Sequence, residues 1–139
     1  MGIAYPARVV QFSAAHRYHR PDWSAEQNAA AFGDCTRDHG HTYQCVVTVK
    51  GTPDPVTGMV VDLGALDRIL HEEVVARYDH RHLNRDVPEF AIGRAVPTGE
   101  MLCMDVWRRV GPRLPAGCSL HCVRVQEEPA LWAEYRCEG

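Results

Sequence analysis

Lysine is almost missing from this chain. Lys50 is the single example, and arginine carries the rest of the positive charge. The formal net charge is only −3, so there is no broad basic face to grip a nucleic-acid backbone. None of the six cysteines, Cys35, Cys45, Cys103, Cys118, Cys122 and Cys137, falls in a CxxC pair. No apolar run approaches membrane-spanning length. The opening MGIAYPARVV has no basic region ahead of an apolar one. Pro6 stands where a myristoylation site would want serine or threonine. There is no internal repeat, no low-complexity tract and no Rossmann-type glycine fingerprint. These absences lead to the expectation of a cytoplasmic protein with reduced thiols, acting without nucleic acid, membrane or nicotinamide. For Cys45, Cys103, Cys118, Cys122 and Cys137 the expected role is core packing.

The 139 residues suit one domain, 1–139. ARVVQFSAAH alternates through Val10, Phe12, Ala14 and His16, which predicts a strand ending near His16. A polar, alanine-rich connection follows, with one short helix opening at Ser24. HGHTYQCVVTVKG alternates again, through His39, His41, Tyr43, Cys45, Val47 and Val49, and TPDPVTG ends that strand. Leu63, Leu66, Leu70, Val74 and Tyr78 recur at helical spacing behind Asp62 as N-cap. DHRHLNRDVPEFAIGRAV reads as loop. A second helix runs behind Pro97 and the N-cap Thr98, with Leu102, Val106 and Val110 as its stripe and Gly111-Pro112 as its end. CSLHCVRVQ and ALWAEYRC read as strands joined at EEP. Strands flanking a helical block predict an α+β fold, a four-stranded antiparallel sheet with two helices on one face. Its open edges and uncovered face predict oligomerisation.

Side chains two apart on a strand share a face, so His39 and His41 project together. If the first two strands pair antiparallel, His16 lies beside the start of the second and converges on that pair. Three neutral imidazoles with no fourth protein ligand match a catalytic zinc, which keeps a position open for water or substrate. Iron and nickel accept the same donors. Any one of these histidines, taken singly, is more commonly a core or surface residue. Two competing histidine pairs are weaker. HEEVV at His71 has Val75 where HExxH needs histidine, and His80/His82 lie in a loop, where alternation says nothing.

Cys35 sits four residues before His39, and Asp79-His80 offers a base with an orienting carboxylate, the usual logic of an activated thiol. Three readings follow: a zinc enzyme, a non-catalytic binder with a structural metal, and a zinc-free cysteine hydrolase using Cys35, His80 and Asp79. The last leaves His16, His39 and His41 without a role.

FSAAHR, CTRDHGHTY, VKG, TGMVVDL, YDHRHLN, PTGE and VRVQE occur in that order from Phe12 to Glu127. The ordered set resembles the 6-pyruvoyl-tetrahydropterin synthase / 6-carboxytetrahydropterin synthase family. The resemblance implies a T-fold (tunnelling fold), assembled into an oligomeric barrel, usually a homohexamer of two trimers with sites between subunits. It implies that His16, His39 and His41 hold Zn2+ and that Cys35 is the catalytic thiol that moves a substrate proton. Asp79 and His80 would tune or relay that proton from a neighbouring subunit. Glu127 would anchor the pterin ring, with Thr98 and Glu100 in its pocket. From charge, Arg17 would meet the triphosphate. The implied substrate is 7,8-dihydroneopterin triphosphate.

The family has two branches, and this chain mixes their marks. The long connection YHRPDWSAEQNAAAFGDC resembles the pyruvoyl branch, which only eliminates triphosphate. The short Cys35-x-x-x-His39 spacing resembles the carboxy branch, which also loses acetaldehyde and serves deazapurine (queuosine-type) synthesis. Because that spacing lies in the site itself, the expected product is 6-carboxy-5,6,7,8-tetrahydropterin, with the pyruvoyl product as the alternative. Met101 and Glu128 depart from the family's usual Asn and Thr, the latter adding a charge beside the expected pterin anchor.

Overall fold

The structure is a computed structural model and describes residues 2–139. Its centre is the pairing of β1 (Ala7–His16) with β2 (His39–Gly51), antiparallel from Ala7 opposite Thr48 to His16 opposite His39. β2 pairs antiparallel with β4 (Cys118–Glu128), and β4 with β5 (Leu131–Tyr135). These are the four antiparallel strands the alternation predicts. A fifth completes the sheet, giving the order β3-β1-β2-β4-β5. β3 (Arg81–His82) lies parallel to β1 on its outer edge, within the stretch expected to be loop, so the sheet is mixed. Two residues are too few to show an alternation. β3 is set by its approach: His80 takes a left-handed turn at φ 59°, its N–H donates to Ser13 O at 2.7 Å, and Ser13 N–H donates to Asp79 Oδ1 at 2.8 Å.

The helices cover one face, as expected. α1 (Ala25–Phe32) opens at Ser24 with a capping box closed by Gln27. Gly33 ends it at φ 55°, a conformation open to glycine and costly for a β-carbon. α2 (Leu63–Leu70) is capped by the Asp62 carboxylate and widens into a π-helical turn at His71–Val75 before α3 (Ala76–Tyr78). Leu66, Leu70, Val74 and Tyr78 are buried, whereas Leu63, counted in the apolar stripe, is 44% exposed at the first turn. α4 (Leu83–Asp86) is a single turn after β3. α5 (Gly99–Val110) buries Leu102, Val106 and Val110 on the sheet. The core stacks Phe12 on Tyr43 (centroids 4.7 Å apart) and sets Tyr78 against Phe12 at 5.1 Å. Each fully buried leucine or valine there contributes roughly 1.5–3 kcal/mol by leaving water.

One charge lies inside the helical layer. Asp105 on α5 is buried and accepts from Arg77 Nη1 (2.5 Å), Arg108 Nη2 (3.1 Å) and the Tyr78 hydroxyl. Burial pushes its carboxyl up, but the bonds from Tyr78 and Arg77 outweigh burial and leave it below the ordinary carboxylate range. The cluster locks α3 to α5 just ahead of Asp79 and His80.

All six cysteines are free thiols. Cys45, Cys103 and Cys122 are buried as expected, while Cys137 is exposed because it lies past the end of β5. Among the described residues no helix is long and apolar enough to cross a membrane.

Candidate active site

Two strand rules place the three histidines. His16 and His39 are cross-strand partners at the last rung of the β1/β2 ladder, and His41 faces Ala14 one pleat earlier. All three project onto the helix-covered face. Ring centroids are 4.5 Å apart for His16–His39, 5.2 Å for His16–His41 and 5.1 Å for His39–His41. Their donor atoms lie within 4.8 Å of one another, a spacing one metal ion can gather by rotation of the rings.

Neighbouring carbonyls fix two of the tautomers. His16 Nδ1 lies 2.9 Å from Pro97 O, and His39 Nδ1 lies 2.8 Å from Arg37 O. A carbonyl only accepts, so each Nδ1 carries the hydrogen and each Nε2 the lone pair, the one on His16 lying 3.4 Å from the Tyr43 hydroxyl. Burial, reinforced by the charge of a protonated His39, lowers the His16 pKa to about 4. It is therefore neutral, as a ligand must be. The Tyr43 hydroxyl stands 3.2 Å from His16 Nδ1, beneath the cluster. This is a site able to bind a metal ion, and its all-imidazole donor set suits zinc.

Glu127 faces the histidines from β4. It is buried, with Oε2 4.0 Å from His41 Nε2. Its Oε1 accepts a hydrogen bond from the Tyr18 hydroxyl at 3.2 Å. Burial and the Glu127 charge raise the Tyr18 pKa far above its ordinary value, so the phenol stays a donor. Tyr18 also sits edge-on to His16 at 4.9 Å and His39 at 6.1 Å. Its backbone N–H donates to Cys35 O at 2.8 Å, which ties the half-buried Cys35 turn (Gly33–Thr36) to the same side. Tyr18 was not among the expected site residues. Its signal was present: it continues the Phe12, Ala14, His16 parity by one more step.

The other expected residues are placed differently from one another. Asp79 Oδ2 and His80 Nδ1 pair at 2.9 Å, but the His80 side chain is 84% exposed. With Ser13 and Thr42 it lines a concavity of about 560 Å³ on the open face of the sheet. Within one chain the pair is thus separated from the histidines by the sheet. Thr98 and Glu100 flank Gly99, where a β-carbon would stand 3.6 Å from Glu127 Oε1, so the start of α5 borders the same site. The Thr98 hydroxyl accepts from the Met101 N–H as the α5 cap (3.2 Å), and Glu100 is exposed in the first helical turn. Arg17 leaves the histidine face; its backbone N–H donates to Asn84 Oδ1 at 2.8 Å, and its Nε is buried without a partner among the described residues. Glu128 is exposed whereas Glu127 is buried, so strand alternation turns the extra charge away from Glu127. Met101 is half-buried against the core.

The 6-pyruvoyl tetrahydropterin synthase family model matches residues 7–138. The chain belongs to this family. Among its relatives is the human 6-pyruvoyl tetrahydrobiopterin synthase, 40% identical over 126 residues, covering 89% of this chain and 85% of the human protein. The Poecilia reticulata 6-pyruvoyl tetrahydrobiopterin synthase is 39% identical over 138 residues, 98% of this chain and 92% of the fish protein. The solved Caenorhabditis elegans 6-pyruvoyl tetrahydropterin synthase superposes with a TM-score of 0.90 at 33% identity, covering 99% of this chain and 98% of that one. A relative with the carboxy name, a putative 6-carboxy-5,6,7,8-tetrahydropterin synthase from Archaeoglobus fulgidus, is 32% identical over 114 residues. The balance of identity therefore runs against the carboxy product expected from the Cys35–His39 spacing. That spacing reports only a tight turn ahead of β2, a loop length rather than a reacting group.

Proposed function

We propose that this chain is a zinc-dependent 6-pyruvoyl-tetrahydropterin synthase, a lyase that eliminates triphosphate from 7,8-dihydroneopterin triphosphate. The observation that carries this reading is the facing of His16, His39 and His41 by the buried carboxylate of Glu127. The histidines would hold zinc, which supplies Lewis acidity toward the side-chain hydroxyls of the substrate. Glu127 is an acceptor of the right kind for the amino and ring N–H groups of a pterin, and binding there orients the side chain toward the histidines. Cys35 takes a carbon-bound proton from that side chain. The carbon–oxygen bond to triphosphate then breaks, and the ring is reduced at the expense of the side chain, so no external reductant enters.

Asp79 and His80 are proposed to act in the site of a second copy. Their exposure on the open face supports this, as do the open sheet edge at β5 and the half-exposed Leu131 and Trp132 there. The assembly in keeping with this sharing is the hexamer of two trimers, in a cytoplasmic setting.

A second reading keeps the same site but forms 6-carboxytetrahydropterin and acetaldehyde; the Cys35–His39 spacing and the archaeal relative favour it. Incubation with dihydroneopterin triphosphate and mass analysis of the products decides between them. Triphosphate with a three-carbon pterin supports the proposal. Acetaldehyde with a carboxylated pterin supports the second reading, and unchanged substrate on zinc-loaded protein leaves a binding protein only.

A further inference from the structure

The connection between β1 and the Cys35 turn is more ordered than a linker needs to be. Ser24 and Gln27 close a capping box on α1. Asn28 is buried and bonds both ways with the backbone of Arg20, accepting from its N–H and donating to its carbonyl. Trp23 stacks on Phe32 at 5.8 Å, and Phe32 meets Tyr18 edge-on at 5.7 Å. Through Phe32 the ordered segment meets the Tyr18 ring. Tyr18 is held by its backbone to Cys35, by its ring to His16, His39 and Phe32, and by its hydroxyl to Glu127.

Resting on the pterin reading above, we propose that Tyr18 is a positioning residue for Glu127, setting the plane of its carboxylate for ligand recognition. The terminal torsion of a glutamate is broad and roughly two-fold, so an unrestrained carboxylate samples many planes. The other oxygen, Oε2, stands 4.0 Å from His41 Nε2, beyond hydrogen-bond reach, so that contact does not fix the plane. The hydroxyl of Tyr18 engages Oε1 from the side of the connection and opposes rotation toward the histidines. A carboxylate offers about four acceptor directions, so one bond from Tyr18 leaves both oxygens able to take paired N–H groups of a flat heterocycle. The long connection thereby acts on ligand affinity through a single phenol.

The test is the binding of neopterin, a fluorescent pterin without triphosphate, to zinc-loaded wild type, Tyr18→Phe, Glu127→Gln and the double variant. Tyr18→Phe keeps the ring and removes the hydroxyl; neopterin should bind about tenfold more weakly, the equivalent of one charge-assisted hydrogen bond. In the Glu127→Gln background the same change should cost less than about twofold, because the group it positions has gone. Zinc content should stay at the wild-type level. An undiminished affinity in Tyr18→Phe would overturn the inference. An equal loss in both backgrounds, or loss of zinc, would do so too, by making Tyr18 a general support of the pocket. Wild type that holds zinc but binds no neopterin would instead overturn the pterin reading, and this inference with it.

Discussion

His16 and His39 face each other across the last rung of the β1/β2 ladder, their ring centroids 4.5 Å apart. Two neighbouring carbonyls, Pro97 O and Arg37 O, turn the same nitrogen of each ring toward the shared space. The site is thus made by strand register and by backbone acceptors that orient its ligands.

Removing one ligand should therefore empty the site. His39→Ala is expected to fall from about one zinc per chain to a small fraction of that, read by elemental analysis. Retention of full zinc would take His39 out of the ligand set.

On the proposed mechanism Cys35 serves the proton chemistry and not the metal. Cys35→Ala should keep its zinc and lose roughly 10²–10⁴-fold in turnover, the usual range for a positioned acid or base. An unchanged rate would remove the thiol from the mechanism.

The proposed sharing of the site between copies predicts complementation. Cys35→Ala and His80→Ala should each be nearly inactive alone, and oligomers reassembled from both should regain part of the activity. Mixed oligomers that stay as inactive as their parents would place both residues in the same chain's site.

His16 makes the metal-free protein sensitive to acid. Its folded pKa, about 4, lies below the ordinary histidine value because burial disfavours the charged ring. Between about pH 6.5 and pH 4 the unfolded chain binds a proton that the native chain refuses, so stability falls as pH falls. The loss across that window should approach the order of 3 kcal/mol. Urea unfolding of zinc-free wild type and His16→Asn, at both ends of the window, reads it as the difference between the two. Identical pH dependence would contradict the assignment.

Asp105 carries the helical layer. Asp105→Asn exchanges a buried carboxylate for an amide among Arg77, Arg108 and Tyr78. A loss of about 3 kcal/mol is expected, since a buried ion pair is broken, although Arg77 keeps Glu89 at 2.8 Å. A change under about 1 kcal/mol in denaturant unfolding would show the cluster to be solvated.

Much of this was legible in the sequence where a period repeats. β1 and β2 alternate over long stretches, so His39 and His41 share a face by parity, and the convergence of His16 follows once the two strands pair antiparallel, as they do. The two main helices were legible in the same way, with Asp62 and Thr98 as the caps that marked their starts. β3 was not, because two residues carry no period and its place depends on the turn at His80. Motif position names a residue but not its direction: the Thr98 hydroxyl also caps α5, and the Glu128 carboxylate points outward. Tyr18 was missed because it lies past the end of β1: parity gives its side, and only the fold brings it to Glu127, 109 positions away.

The most direct measurement is triphosphate release from dihydroneopterin triphosphate by metal-stripped protein titrated with zinc. The rate should be negligible without metal, rise in proportion to added zinc and level off near about one ion per chain. Full activity in the stripped protein, or none at full loading, would contradict the account.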